Sequence, residues 1–345
     1  MRLRAIAAFV LSIGLAMVLA PPAQCRPNAQ QYVIKFSHVA TPDSPKGKAA
    51  EKFRELVEER SRGVVKVVVY PNSTAYTDKE EIEALQLGAV QMLAPSLNRI
   101  SMLGLDEYGI FDLPYLFPDL QAVRAVTQGP IGARLLQALD SEALVGLAFW
   151  ENGFKMITST RPLRKPADMA GLKMRVQPSA VLVAQMKDLD AVPVVTSVSD
   201  IAKRLKSGMI DATDGPPSNI LTQSMGTSQK YGIVTNHAYQ GYVVIANAHF
   251  WNGLPPDIRT LVEGALKDAT AYANDIAAQE NEKALAAIKA TGKMDIYQPT
   301  AEELAEWRKR LLIVHQEMAK TIGKDLLEAI YAENAKRGFS YPPLK

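Results

Sequence analysis

The chain has 345 residues, 48% of them apolar and 22% charged, with a formal net charge of +3 at pH 7. That length makes two domains the natural division and is enough to bury sizeable cores; the small charge, with no long basic run, argues against nucleic acid as a partner. A single cysteine, Cys25, leaves no internal disulfide and no cysteine metal cluster, so the fold rests on its core.

The N-terminus departs from this ordinary composition. Arg2 and Arg4 precede an apolar stretch from Ala5 to Ala20, and "PPAQC" follows. A positive start, a short apolar run and a small-residue exit describe a secretory signal peptide. The run has 16 residues, short of the roughly 20 that a membrane span needs. Residues 1–25 are therefore expected to be a signal peptide, with Gln24 making "PAQC" a poor lipoprotein signal.

From residue 32 onward strand and helix signals alternate. "YVIKFSHV" reads as a strand, and Ser44-Pro45 opens a helix with serine as cap and proline in the first turn. "VVKVVVY" (Val64 to Tyr70) is a β-branched run expected to be a buried strand. Asp78 with Glu81 has the spacing of a capping box for a helix ending near Gly88, and "VQMLAPS" returns as a strand. This order implies a mostly parallel sheet with helices on its faces. "FDLPYLFPDL" reads as a packed connection, followed by a helix to about Ala138, the strand "LVGLAFW" and a second strand in "ENGFKMITS". The pattern then restarts with "GLKMRVQ", a helix from Ala180, "DAVPVV", a helix from Asp200, "MIDATDG" and the later strand "GYVVIAN". Two such series predict two α/β lobes. Pro255-Pro256 opens a helical pattern reaching about Ala290, which either kinks or spans both lobes, and Thr300 caps a last helical region.

The chemistry-bearing residues narrow the function. Four histidines are scattered without metal-ligand spacing, and no GxSxG, GxxxxGK[ST] or GxGxxG occurs. Lys155 in "NGFKMI" and Arg175 in "KMRVQ" are cations in apolar strand context. Each alone reads as an exposed or strand-edge cation. As a pair on neighbouring strands they offer a planar guanidinium, matched to a carboxylate, and a second point charge. Such a pair can hold an acid in a crevice between α/β lobes. Ser96, after a strand in "APSLN", presents its hydroxyl there or is a turn residue.

Several long segments in order resemble the periplasmic solute-binding subunit of tripartite ATP-independent periplasmic (TRAP) transporters, nearest its C4-dicarboxylate-binding branch. They are "IKFSHVATPDSPKG", "VYPNS", "EIEALQLGAVQMLAPSL", "FDLPYLFPD", "WENGFKMITSTRPLRKPADMAGLKMRVQPS", "PPSNI" and "FWNGLPPDIR". The resemblance runs from about Tyr32 to Tyr331. It implies a two-lobe clamshell with long helices crossing between lobes, residues 26–152 plus 242–282 forming one and 153–241 plus 283–345 the other. It implies a periplasmic binding protein without catalysis, cofactor or metal, which delivers a small organic acid to the small and large membrane permease components. The family's anchoring arginine, paired with a ligand carboxylate, falls on Arg175; its second basic contact falls on Lys155, where many members carry arginine. The strand-end position beside the ligand falls near Ser96, and Gln177, two residues beyond Arg175, shares its strand face.

Two departures bear on specificity. Where the family often reads "DG(T/Q)ENP", this chain has "DATDGPP", so Gly215 replaces the usual ligand-binding asparagine. "VVTSVSDIAK" lacks the aromatic that family members tend to place before the following helix. Longer diacids and aromatic monocarboxylates therefore stay open beside succinate, malate and fumarate, as does a periplasmic sensor role. A secreted hydrolase lacks any nucleophile–base signature.

Overall fold

The computed structural model describes residues 31–223 and 228–344; the signal-peptide expectation lies outside them. Eleven strands occur among the described residues: β1 (Tyr32–Ser37), β2 (Val65–Tyr70), β3 (Met92–Leu93), β4 (Leu144–Phe154), β5 (Met156–Ser159), β6 (Lys173–Val176), β7 (Val192–Val195), β8 (Ala212–Gly215), β9 (Tyr231–Ile233), β10 (Tyr239–Asn247) and β11 (Asp295–Tyr297). They form two sheets, ordered β2-β1-β3-β10-β4 and β11-β9-β5-β8-β6-β7. In the first, β1 lies parallel to β2 and β3, and β10 runs antiparallel to β3 and β4. In the second, β6 is parallel to β7 and β8, while β5 is antiparallel to β8 and β9. The fold is thus mixed α/β with two sheets, as expected.

The chain crosses from the first sheet to the second at Lys155, between β4 and β5, and returns between β9 and β10. The long helix Pro256–Ala290 is one unbroken element that packs on helix Pro45–Arg60, on β4 and on helix Pro217–Thr222. A stripe of small residues makes close packing possible: Ala265, Ala269, Ala273 and Ala277 are buried at helical spacing. Polar residues on the helix tie it to β4. Trp150 Nε1 donates to Thr270 Oγ1 at 2.9 Å, and Glu151 N donates to Asn274 Oδ1 at 2.9 Å.

Local expectations met different outcomes. Ser44 caps helix Pro45–Arg60, its hydroxyl accepting from Gly47 N at 3.1 Å, and Thr300 with Glu303 forms a capping box for helix Ala301–Leu311. β2 is an edge strand rather than a buried one: Lys66 is exposed and Val68, Val69 and Tyr70 are half-buried, because only β1 pairs with it. The helix after the "FDLPYLFPDL" connection breaks at Gly129-Pro130 into Leu120–Thr127 and Pro130–Ala138. The Asp78–Glu81 capping box does not form. Helix Glu81–Gln86 starts from Glu80 without a side-chain cap, and both Asp78 and Glu81 are buried.

Candidate ligand-binding site

Arg175 sits at the third position of β6 and is 3% exposed. Strand alternation places Met174 and Val176 in the apolar core and turns Arg175 to the other face. Its Nε donates to Thr196 O at 3.1 Å. Among the described residues no other hydrogen bond reaches the guanidinium and no carboxylate lies within 4.0 Å of it. Burial holds this guanidinium below its ordinary value, against the attraction of Asp214 and Asp78; an arginine keeps its charge regardless. A buried cation whose planar end carries unused N–H groups calls for an anion.

Lys173, two residues earlier on the same strand, does a different job. Half-exposed, its ammonium stands 3.6 Å from Asp211 Oδ1 and also donates to Gly208 O.

Lys155 lies behind Arg175 in a buried polar group. Its Nζ donates to Gln177 Oε1 at 3.2 Å and stands 3.2 Å from Asp214 Oδ2. His237 Nε2 approaches that same Asp214 oxygen at 3.4 Å, and its Nδ1 is bonded to Thr235 Oγ1 at 2.7 Å. Burial alone would raise the Asp214 carboxyl; the Lys155 charge, then His237 and Arg175, overcome it and hold the group well below the usual carboxylate range.

Arg175, Gln177 and Ser96 line one cavity. Ser96 follows β3, bridges to Tyr242 and precedes helix Leu97–Ile100 without capping it, so its hydroxyl is left for the cavity. An adjoining cavity holds Lys155 and Asp112 and shares Ser96 and Gln177 with the first. Gly215 ends β8 opposite Met156 and is not among the lining residues. Its neighbour Asp214 is, and so is Asn219 on the next helix.

Helices and a loop beside the first sheet supply a charged wall that the sequence did not reveal. Lys46, Asp78, Glu81, Arg99 and Tyr242 all line the cavity. Lys46 Nζ donates to Ala94 O at 3.0 Å and stands 4.0 Å from the centre of the Tyr242 ring. Burial lowers the Lys46 ammonium and raises the Glu81 carboxyl, each opposed by the other's charge. Arg99, 8% exposed, has no carboxylate within 4.0 Å among the described residues, and its Nε has no partner. One signal was available for Lys46 and none for Arg99. Lys46 falls in the first turn of an otherwise apolar-faced helix, whereas Arg99 sits in a four-residue helix with no readable period.

This geometry has close counterparts. The model of the bacterial extracellular solute-binding proteins of family 7 matches residues 36–321. The C4-dicarboxylate-binding periplasmic protein DctP of Rhodobacter capsulatus is 50% identical over 333 residues, covering 96% of this chain and 99% of that protein. A TRAP periplasmic solute binding protein from Sulfurospirillum deleyianum, solved with bound succinate, superposes with a TM-score of 0.85 at 37% identity, covering 88% of this chain and 99% of that one. Another from Pseudomonas aeruginosa, with bound L-malate, gives 0.81 at 38% identity over 83% and 99%. With a family model spanning most of the chain, a relative identical at half its positions and the same two-sheet architecture, this chain belongs to the bacterial extracellular solute-binding proteins of family 7.

Proposed function

We propose that this protein captures a C4-dicarboxylate of the succinate, malate or fumarate kind and delivers it to the membrane subunits of a TRAP transporter. One observation carries the reading. The Arg175 guanidinium is buried beside a cavity with, among the described residues, only its Nε bonded, so its remaining donors suit a bidentate carboxylate. Arg99 and Lys46, on helices beside the other sheet, supply positive charge for a second carboxylate. Cations on both sides of the cavity suit a compact acid charged at both ends better than a monocarboxylate. The relatives named above, one named for C4-dicarboxylates and two solved with succinate and L-malate, point the same way.

In this reading the lobes follow the residue ranges given by the resemblance and close over the acid, because contacts from both sides exist only in the closed state. Lys155 steadies Gln177 and adds charge behind the ligand; Ser96 contributes a hydroxyl. No step of turnover is required, and the acid leaves unchanged. The site works in the periplasm after export; among the described residues no helix is long and apolar enough to cross a membrane.

The test is calorimetry and thermal shift of the exported chain against succinate, malate, fumarate, adipate and aromatic monocarboxylates. Succinate at a hundred times its Kd should stabilise the protein by about 2.7 kcal/mol. Arg175→Ala leaves a buried carboxylate without its partner, at a cost of about 3–5 kcal/mol, so its Kd should rise by roughly two to nearly four orders of magnitude. Stabilisation by adipate or aromatic acids alone would show that Gly215 and the altered loop have rebuilt the pocket. Unaltered binding by Arg175→Ala would remove the anchor.

A further inference from the structure

A polar chain joins the long helix to the cavity from outside it. On helix Pro256–Ala290 the amide of Asn281 is fully engaged. Its Nδ2 donates to Asn152 O at 2.7 Å and to Ala277 O at 2.8 Å, and its Oδ1 accepts from Ser218 N at 3.0 Å. Two carbonyls on one side and an N–H on the other admit only this orientation of the amide.

The two partners outside the helix come from different sheets. Asn152 is on β4 of the first; Ser218 is in helix Pro217–Thr222, which follows β8 of the second. Asn152 occupies a bulge: β10 pairs Gln240 with Gly153 and Gly241 with Glu151, passing Asn152 by. A bulge re-aims the side chain it carries. Here Asn152 Nδ2 donates to Tyr242 Oη at 2.8 Å and to Asn219 Oδ1 at 3.1 Å, while its Oδ1 accepts from Ser218 Oγ at 3.2 Å. Asn219 and Tyr242 line the cavity. Glycine at 153 leaves room for this amide; a Cβ there would stand 2.7 Å from Asn281 Nδ2.

We propose that Asn281 is a positioning residue for ligand binding: a clasp that holds β4 and helix Pro217–Thr222 in the relative placement that sets Asn219 and Tyr242 against the ligand. The proposal rests on the clamshell reading above. Both outward bonds exist together only while elements of the two sheets stand side by side, so they favour the closed state. Ligand affinity scales with the population of that state. Asn281 itself is not among the residues lining the cavity.

The experiment uses the exported chain with spin labels on Glu55→Cys and Lys203→Cys, exposed positions on helices beside the first and second sheets. The distance between labels is read with and without succinate, beside binding kinetics and unliganded thermal stability. The parent should shorten and narrow its distance on succinate. Asn281→Ala should retain a mixed distribution at saturation, with succinate affinity lowered about tenfold, as the loss of two hydrogen bonds predicts. That loss should lie in the dissociation rate, with unliganded stability little changed. Asn281→Asp, of the same shape, sets a carboxylate against two carbonyls and should bind no better than Asn281→Ala; a packing role would leave it like the parent. A parent that does not change its distance would overturn the clamshell reading and the clasp with it. A parent that closes, with both variants closing and binding as it does, would overturn the clasp alone. So would an affinity loss matched by an equal loss of unliganded stability.

Discussion

Asp112 shows what it costs to bury a carboxyl beside the cavity. It is 3% exposed, and burial pushes its carboxyl up to about 6; Lys155 and a bond from Ser179 oppose this, and Asp214 adds to it. A carboxyl raised in the folded state holds its proton where the unfolded chain has released it. Its contribution to stability is therefore full below the ordinary value of 3.8 and is lost as pH rises through about 6. Asp112→Asn should match the parent near pH 4 and gain on it from pH 4 to 7, by on the order of 3 kcal/mol. Thermal or urea unfolding across that range checks it; parallel curves would show that the buried carboxyl is ionised without penalty. Asp214 has the opposite sign, since its depressed carboxyl gives stability that is lost only as pH falls below about 3.8. At this scale the sequence was legible where a cation broke an apolar strand, which is why Lys155 and Arg175 stood out. The acids were not legible. Asp214 looks like a strand-end turn residue, and Asp78 with Glu81 has the spacing of a cap. Only the packing of Lys46 and Arg99 against that wall explains why the carboxylates turn inward.

Helix Pro45–Arg60 illustrates how an element positions a site. Its first turn carries Lys46, and the turn is pinned by Ser44 and by the loop that folds across Gly47. A Cβ on Gly47 would press on Thr41 O and stand 2.5 Å from Pro42 O, both backbone atoms that cannot step aside alone. Gly47→Ala should therefore push the loop and the helix start apart, destabilising the fold by about 1–3 kcal/mol. It should also weaken succinate binding, because Lys46 moves with the turn. Calorimetry beside thermal unfolding separates the two; a variant with parental affinity would mean that Lys46 keeps its place without the turn. Helices of this kind were readable from caps and apolar spacing, as were Thr300 with Glu303 and the run to Ala290. The short strand β3 and edge strand β2 were less so. A β-branched run signals a strand without saying which neighbours pair with it, and β2 has only one. The bulge at Asn152 left no trace in residue type, since it arises from register with β10, almost ninety positions away.

At the scale of the molecule, stability and binding are carried by different parts. The last three helices, Ala301–Leu311, Ile313–Ile322 and Lys324–Ala335, are followed by a tail that returns to the "FDLPYLFPDL" connection. Tyr341 Oη and Asn334 Nδ2 both donate to Leu116 O, at 2.5 and 2.8 Å, and Tyr341 stacks on Tyr331 with ring centres 4.3 Å apart. Leu344 is buried in the same core as Phe111, Leu116 and Phe117. Contacts separated by more than two hundred residues have no local signature, so a periodic pattern predicts these helices without saying what they cover. Among the described residues none of the tail lines the cavity; the lining residues lie between Val39 and Tyr242. Deleting residues 339–345 removes one buried leucine and one stacked tyrosine, a loss of roughly 3–5 kcal/mol. Tm should fall by roughly 5–10 °C, while succinate affinity at 20 °C should stay within about twofold of the parent, because a folded chain presents the same cavity. If affinity fell with stability, the C-terminal helices would be setting the placement of the two sheets, and closure would be a property of the whole chain rather than of the elements around Lys155 and Asn281.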